Sequence, residues 1–353
     1  MSGNRMPFYN KLLEDDLRHI LGHTESLWKD CKGKTVFITG GTGFFGKWFL
    51  ETISFLNCEM NLGLKTIVLS RAPDKFLSDY PYFTQPMICL IKGDVRNFSF
   101  PKEDIQYIIH AATAASDKLN TDQSLEVFDT IVDGTHHVLN LAKEKKVESF
   151  LFTSSGAVYG KQPPDMTHIP ESYTGAPDCI YARSAYGEGK RAGEMLCSLF
   201  YHQYQVPVKI ARCFALVGPY LPLDAHFAIG NFIRDGSRGC PIQVKGDGTS
   251  YRSYLYAADL VVWLWTILFK GNSGYAYNVG SDQTLTISDL AYIVANNYNP
   301  PMVVHISKSA IQNKTVERYV PNIQRAKTEL GLEQWITLQD AIQRTILFEK
   351  KIR

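Results

Sequence analysis

Between residues 34 and 213 the chain repeats one pattern. A short apolar run is followed by a turn, then by a longer stretch whose apolar residues recur every three or four positions. The first run is Thr35-Val-Phe-Ile-Thr39, and the helix behind it is expected to reach about residue 53. Further strands are expected at 65–69, 87–91, 106–110, 150–154 and 206–213. Helices are expected at 125–145, with Ser124 placed to cap its start, and at 185–204. Strands alternating with helices imply right-handed crossovers and a parallel sheet covered on both faces, an α/β doubly wound architecture. Upstream, Phe8, Leu12, Leu13, Leu17, Ile20 and Leu21 recur at helical spacing, which predicts an amphipathic helix within 8–28. It is expected to pack on the main domain as an arm, the alternative being a lid or dimer element. After Gly218 the alternation weakens and Pro, Gly and aromatic residues increase.

At 353 residues the chain is long enough for a nucleotide-binding domain plus a smaller one. A formal net charge of +2 gives no electrostatic argument for nucleic acid or an anionic membrane. The basic cluster 143–146 falls at an expected helix end, where it complements the dipole. The richest apolar stretch, 260–269, is too short to span a bilayer and reads as a buried helix. The early acids Glu14, Asp15 and Asp16 argue against a signal peptide. Seven scattered cysteines, without a C-x-x-C pair, suggest reduced thiols in the cytoplasm and neither a disulfide frame nor a zinc site. The nine histidines show no ligand spacing, and no metal is expected; His136-His137 read as a helix surface.

Chemistry enters at Gly40-Gly-Thr-Gly-Phe-Phe-Gly46, which follows a strand and opens a helix. Gly40 permits the tight turn, Gly43 lets backbone approach a pyrophosphate, and Gly46 lets helix and strand close up. With Phe44 and Phe45 in the first helical turn, the free N–H groups and the dipole favour a phosphate there. The chain therefore reads as a Rossmann-type NAD(P)-binding domain over 34–217, with 250–280 returning to it. A helical extension (1–33) precedes it, and a mainly substrate-binding α/β domain (218–353) follows, joined by a loop near 161–183.

At the end of the second strand, where NAD enzymes carry an acid for the ribose diol, stand Ser70 and Arg71. A guanidinium there suits a 2′-phosphate and tilts the choice between NAD and NADP toward NADP. The alternative is a solvated arginine, with Asp74 or another group on the ribose. Asp94, with Val95, is placed to accept from the adenine amine, and Ala111-Ala112-Thr113 offer small residues where a flat cofactor lies against backbone. Tyr186 and Lys190, four apart, share a helix face. A neighbouring ammonium and a cationic nicotinamide favour the Tyr186 phenolate, which then takes a hydroxyl proton while hydride leaves the same carbon. Ser155 lies just past the fifth strand, at the carboxyl edge where open α/β sheets bind ligands.

These residues carry a resemblance. The chain resembles the extended short-chain dehydrogenase/reductases of the nucleotide-sugar epimerase/dehydratase family from Lys34 to about Ile342. The matching segments are the glycine turn, Thr153-Ser-Ser-Gly-Ala-Val-Tyr-Gly160, Tyr186-x-x-x-Lys190, Arg212-Cys-Phe-Ala-Leu-Val-Gly-Pro219, Gly246-Asp-Gly248 with Arg252, and Pro321-Asn-Ile-Gln-Arg-Ala-Lys327. The resemblance implies a catalytic set Ser155, Tyr186 and Lys190, a tightly held cofactor with Cys213 at its edge, and a nucleoside-diphosphate sugar as substrate. It implies Arg252 on the diphosphate, Asn231 near the nucleotide, and a homodimer built on the helices 125–145 and 185–204.

The departures bear on the reaction. In the family's 4,6-dehydratases an Asp-Glu pair follows the catalytic Thr or Ser; here those positions are Gly156 and Ala157. UDP-glucuronate decarboxylases resemble the chain around Tyr186 and Arg252 but keep a glutamate at the position of Ala157. Ala215 replaces a common asparagine that helps hold the diphosphate. A 4-epimerase needs neither acid nor base beyond Tyr186, and is the leading expectation. The alternatives are a decarboxylase or dehydratase whose carboxylate comes from Glu171 or Asp178, an NADPH-dependent 4-keto-sugar reductase, and, outside enzymes, an inert nicotinamide-sensing scaffold.

Overall fold

The computed structural model describes residues 9–113, 122–225, 227–310 and 315–352. Its central sheet has seven strands. They are β1 (Thr35–Thr39), β2 (Lys65–Ser70), β3 (Ile88–Lys92), β4 (Tyr107–His110), β5 (Ser149–Ser155), β6 (Val208–Cys213) and β11 (Ala276–Val279), in the order β11-β6-β5-β4-β1-β2-β3 with every pairing parallel. The order reverses between β1 and β4, and the crevice outside the strands' carboxyl ends at that switch is where such sheets bind ligands.

The apolar runs are buried on both faces, as the continuous patterning requires. Val36, Ile38, Val68, Ile109 and Leu151 face one core, and Phe37, Ile67, Ile108, Phe150 and Phe152 face the other. The second core is closed by helices α4 (Ser124–Lys145) and α5 (Ala185–Tyr204). The first is closed by α2 (Phe44–Met60) and α7 (Ala257–Lys270). Helix α7 is the expected buried helix: it is covered from Ala257 to Leu268 because the N-terminal helix, α2 and the sheet surround it. Among the described residues no helix is long and apolar enough to cross a membrane.

Several expectations need correction. Helix α2 runs about two turns past residue 53, because Phe55 and Leu56 are fully buried and Asn61 ends the helix in the left-handed conformation. Ser124 is the first helical residue of α4; Gln123 holds the cap position, without a side-chain capping bond. The N-terminal helix is shorter: α1 spans Glu14–Thr24 between single 3₁₀ turns at Lys11–Leu13 and Glu25–Leu27. The tighter turn shifts the apolar register, so Leu13, Leu17 and Ile20 are buried while Leu12 is 42% exposed. Phe8 lies outside the described residues. The segment is a packing arm. Its Asp16 accepts from Tyr256 at 2.6 Å and from Arg344, and His19 Nε2 lies 2.8 Å from the buried Asp259.

The remainder forms short sheets over one end of the main sheet. Strand β7 (Leu216–Val217) pairs with β10 (Leu255–Tyr256), and β8 (Ile242–Val244) pairs with β13 (Val304–Ile306). Strand β9 (Tyr251–Arg252) lies between β12 (Leu285–Thr286) and β14 (Arg318–Tyr319). The helices here are α6 (Ala228–Ser237), α8 (Ile287–Ala295), α9 (Gln324–Leu330) and α10 (Leu338–Ile352); α3 (Pro73–Asp79) follows β2. The returning strand β11 is the point where this half of the chain rejoins the main sheet beside β6.

Candidate active site

The parallel register aligns the strand ends. Thr39 pairs with His110 and Ser155 pairs with Cys213, so the residues that leave β1, β4, β5 and β6 share one edge. The glycine turn is built as the sequence requires. Gly40 adopts φ +70°, and a Cβ there would lie 2.5 Å from the Ala111 carbonyl oxygen. A Cβ on Gly46 would meet the Gly41 backbone at 2.2 Å. Gly43 caps α2 through backbone only, its N–H donating to Gly40 O at 3.0 Å, and Phe44 and Phe45 follow half-buried with their rings 5.6 Å apart. Among the described residues no side-chain hydrogen bond to the first N–H groups of α2 is present, which leaves them to an anion.

Opposite this turn, the Ala112 N–H donates to Thr39 Oγ1 at 3.1 Å, and the Thr113 hydroxyl is buried with no partner among the described residues. A backbone cradle closed to any Cβ, free helix N–H groups and an orphan hydroxyl fit a dinucleotide. The second ribose site is less simple than expected. Ser70 is buried, with its hydroxyl accepting from the Ala72 N–H at 3.2 Å, and Arg71 is exposed. Asp94 is gripped by Arg96, Nε to Oδ1 and Nη2 to Oδ2 both at 2.9 Å. Hydrogen bonds from Arg96, then the nearby charge of Arg71, hold the Asp94 carboxyl down at about 2. Arg96 was not anticipated; it stands two residues past the aspartate with nothing local to mark it. Val95 points away, buried beneath Gly134 of α4.

The proton-handling groups gather between β5 and α5. Ser155 is 5% exposed and Lys190 1%. The Lys190 ammonium donates to the Thr153 carbonyl at 2.7 Å, 4.9 Å from the Phe152 ring centre and 6.0 Å from that of Tyr186. Burial lowers its pKa to about 8. Burial raises that of Tyr186, while a hydrogen bond with Ser155 pulls it the other way. His110 beneath them has Nδ1 at 2.7 Å from Thr39 Oγ1 and Nε2 at 3.0 Å from Thr135 Oγ1; burial, then the Lys190 charge, push it to about 3, so it is a neutral brace.

Beyond Ser155 the positions of interest are filled. A Cβ on Gly156 would sit 2.7 Å from two ring carbons of Phe214 and 2.7 Å from the Tyr319 hydroxyl. Tyr319 arrives on β14, paired with Arg252 on β9, and its ring packs 4.7 Å from Phe214. Arg252 thus lies beside the site, its Nη1 bonded to the Tyr251 carbonyl at 2.8 Å. Asn231 sits on α6 and accepts from Arg234 at 2.9 Å. Glu171 is engaged elsewhere, accepting from the Asn278 N–H at 2.9 Å, and Asp178 accepts from the Ile180 N–H at 3.0 Å in an exposed turn. Neither makes a hydrogen bond to Ser155 or Tyr186 among the described residues. A half-buried brace backs the strand ends: Glu194 takes Arg212 Nη2 at 2.6 Å and the Ser154 hydroxyl, and Arg212 Nη1 reaches Tyr159 Oη at 2.8 Å. Tyr319 escaped sequence reasoning, and Phe214, although inside the quoted Arg212–Pro219 segment, was given no role there, because non-local strand pairing brings them together; Tyr319 stands only two residues before the quoted Pro321 segment.

No cluster of His, Cys, Asp and Glu among the described residues suits a metal, and none of the seven cysteines is paired in a disulfide. The fold and this edge define a nicotinamide-dependent enzyme of the short-chain dehydrogenase/reductase type, and comparison with known proteins agrees. The profile of the NAD dependent epimerase/dehydratase family matches residues 36–280. A UDP-glucuronic acid decarboxylase of Arabidopsis thaliana is 30% identical over 307 residues, 87% of this chain and 86% of that one. Among solved structures, a UDP-glucose 4-epimerase of Thermotoga maritima superposes with a TM-score of 0.75 at 22% identity, covering 90% of this chain and 99% of that chain. A dTDP-glucose 4,6-dehydratase of Streptomyces venezuelae with NAD bound gives 0.75 at 21% identity, covering 90% and 97%. The chain belongs to the NAD-dependent epimerase/dehydratase family, and is an NAD(P)-dependent nucleotide-sugar enzyme.

Proposed function

We propose that the protein oxidises and re-reduces the C4 hydroxyl of a nucleoside-diphosphate sugar without expelling water or carbon dioxide, as a 4-epimerase. The observation that carries this reading is the filled space at Gly156. Phe214 and Tyr319 occupy the volume that a side chain at position 156 needs, and Ala157, where the decarboxylases keep a glutamate, has no proton to move. Glu171 and Asp178, the alternative sources, hydrogen bond elsewhere.

In this reading Gly40, Gly43, Phe44, Phe45 and Gly46 hold the pyrophosphate of the cofactor, with Ala111, Ala112, Thr113 and Cys213 lining its nicotinamide half. Bound there, a nicotinamide dinucleotide supplies the acceptance and return of the C4 hydride. Tyr186 takes the hydroxyl proton and later gives it back. Ser155 holds the same oxygen, and the Lys190 ammonium, fixed on the Thr153 carbonyl, keeps positive charge within reach of the phenol. Arg252 is the group for the diphosphate, and Asn231 for the nucleotide.

A second reading, reduction of a 4-keto sugar by free NADPH, is favoured by the pair Arg71 and Arg96 flanking Asp94, a cationic corner suited to a 2′-phosphate. The exposed Leu125, Met195, Leu199 and Tyr204 on α4 and α5 support a homodimer through those helices. The deciding experiment is mass spectrometry of products from UDP-, dTDP-, GDP- and CDP-sugars. An isomer of unchanged mass supports epimerisation; a gain of two hydrogens at the expense of NADPH supports the reductase. Loss of water or carbon dioxide overturns both. Turnover by Tyr186→Phe overturns the assignment of the proton carrier.

A further inference from the structure

Glu51 is a fully buried carboxyl of α2 that the chemistry above does not use, and three other stretches of chain meet on it. The Asn10 N–H of the N-terminal arm donates to Oε2 at 2.8 Å. Tyr82, in the link between α3 and β3, donates to Oε1 at 3.0 Å, and Tyr220, just past β7, donates to the same oxygen. Among the described residues no cation is paired with it. Lys47, one turn earlier, donates instead to Tyr80 Oη at 3.1 Å and lies 4.8 and 4.7 Å from the Tyr80 and Tyr220 ring centres. A buried carboxylate without a paired cation is costly, so the closed junction favours the neutral acid. The two phenol oxygens are also 2.9 Å apart. With both phenol protons turned to Glu51 that contact holds none, and a proton on Glu51 lets one phenol turn to the other. Tyr220 stands at φ +71°, a left-handed conformation that a non-glycine residue keeps only where its contacts enforce it.

We propose that Glu51 is a proton-operated latch: protonated, it seats the leading turn of the arm and the Tyr220 corner on α2, and ionised, it releases both. A carboxylate formed here attracts Lys47 away from the two rings that it braces, so the contacts that enforce the Tyr220 conformation weaken together. Further along the arm, Asp16 and His19 stay anchored on Tyr256, Arg344 and Asp259, which confines the release to the turn ahead of α1. Strand β7, which leads into the corner, pairs with β10 three residues past Arg252, so the movement reaches the edge of the substrate half. The titratable and charged groups around the junction are Lys47 from α2, Tyr80 and Tyr82 from the link and Tyr220 from the corner; burial keeps Tyr82 and Tyr220 protonated. The arm and α10 bring Asn10 and Phe348 to it, neither of which titrates.

Burial pushes the closed carboxyl up to about 7 from an ordinary 4.5, so opening becomes easier as pH rises between those values and levels off above them. The test is residue-resolved hydrogen exchange of the full chain from about pH 5 to about pH 7, corrected for the intrinsic pH dependence of exchange. It follows the hydrogen-bonded amides of Asn10, Leu13 and Leu221. Their protection is expected to fall roughly tenfold per pH unit, the slope set by one proton, and to stay below that of Ile38 in the sheet core, the mark of a local opening. Glu51→Gln, which cannot ionise, is expected to hold the same protection across the range. A flat wild-type profile, an equal fall in Glu51→Gln, or exchange of these amides no faster than that of Ile38 overturns the proposal. Should Glu51→Gln fail to fold, Glu51→Met takes its place: a profile flat at the open level supports the latch, and a remaining slope shows that the proton belongs to another group and overturns it.

Discussion

A single methyl group added at Gly156 is expected to damage both stability and chemistry. The new Cβ would lie 2.7 Å from Phe214 Cε1, Phe214 Cζ and Tyr319 Oη, about 1 Å short of ordinary carbon contact at about 3.5–4.0 Å. Neither neighbour is a loose side-chain end. Phe214 is 6% exposed at the junction of β6 and β7, and Tyr319 is fixed by the β14–β9 pairing. Overpacking of this kind costs roughly 1–3 kcal/mol, so Gly156→Ala should lower the free energy of urea unfolding by about that much. Relief requires the rings, or the Gly156 backbone next to Ser155, to move by roughly 1 Å, and displacements of that size at a reacting centre cost up to roughly 100-fold in turnover. Trimming the obstacle with Phe214→Leu in the Gly156→Ala chain should recover part of the stability. The assay is equilibrium unfolding followed by circular dichroism, with turnover measured on the sugar identified by the substrate panel. If Gly156→Ala unfolds at the wild-type urea concentration and turns over normally, the space is not filled as described, and the argument against an extra carboxylate fails with it.

Arg71→Ala should weaken NADP⁺ binding by roughly 10- to 100-fold, the worth of a charge-assisted hydrogen bond, while leaving NAD⁺ within about twofold; fluorescence titration that shows equal loss for both refutes the phosphate role. Glu51 on α2 is fully buried and accepts from Tyr220, from Tyr82 at 3.0 Å and from the Asn10 N–H at 2.8 Å; burial pushes it up to about 7. A carboxyl raised on folding stabilises the neutral form, so its contribution is whole below pH 4.5, falls as pH rises and is gone above about 7, a span of about 3 kcal/mol. Unfolding free energies of wild type and Glu51→Gln should therefore diverge across that window, and a flat difference curve refutes the assignment. Glu194→Ala leaves the Arg212 guanidinium, only 16% exposed, without its fork, and should cost roughly 3–5 kcal/mol; a loss below about 1 kcal/mol in thermal or urea unfolding would show that the brace is not structural.

The main sheet was legible because burial on both faces leaves an unmistakable trace, continuous apolar runs at 35–39, 65–69 and 106–110 separated by helical periodicity. The glycine turn was equally legible, since a backbone that passes 2.5 Å from where a Cβ would stand admits only glycine, and Gly40 and Gly46 announce that in one dimension. Tyr186 and Lys190 could be paired because a helix fixes the geometry of residues four apart. Helix limits were less legible. The end of α2 depends on where Phe55 and Leu56 find a core, and the true length of α1 on where a 3₁₀ turn shifts the register, both decided by packing partners far along the chain.

What the sequence determined by itself was the class of chemistry: a dinucleotide cradle, a tyrosine–lysine pair and a serine on one sheet edge, each encoded by local spacing. What only the tertiary structure decided was how that chemistry is bounded. Gly156 could be read as a missing acid, but the reason no acid can be accommodated lies in Phe214 and in Tyr319, which is 163 residues away in sequence, brought against it by β14 pairing with β9. Local spacing specifies which groups a helix or strand presents, whereas long-range pairing specifies which groups then fill the space beside them.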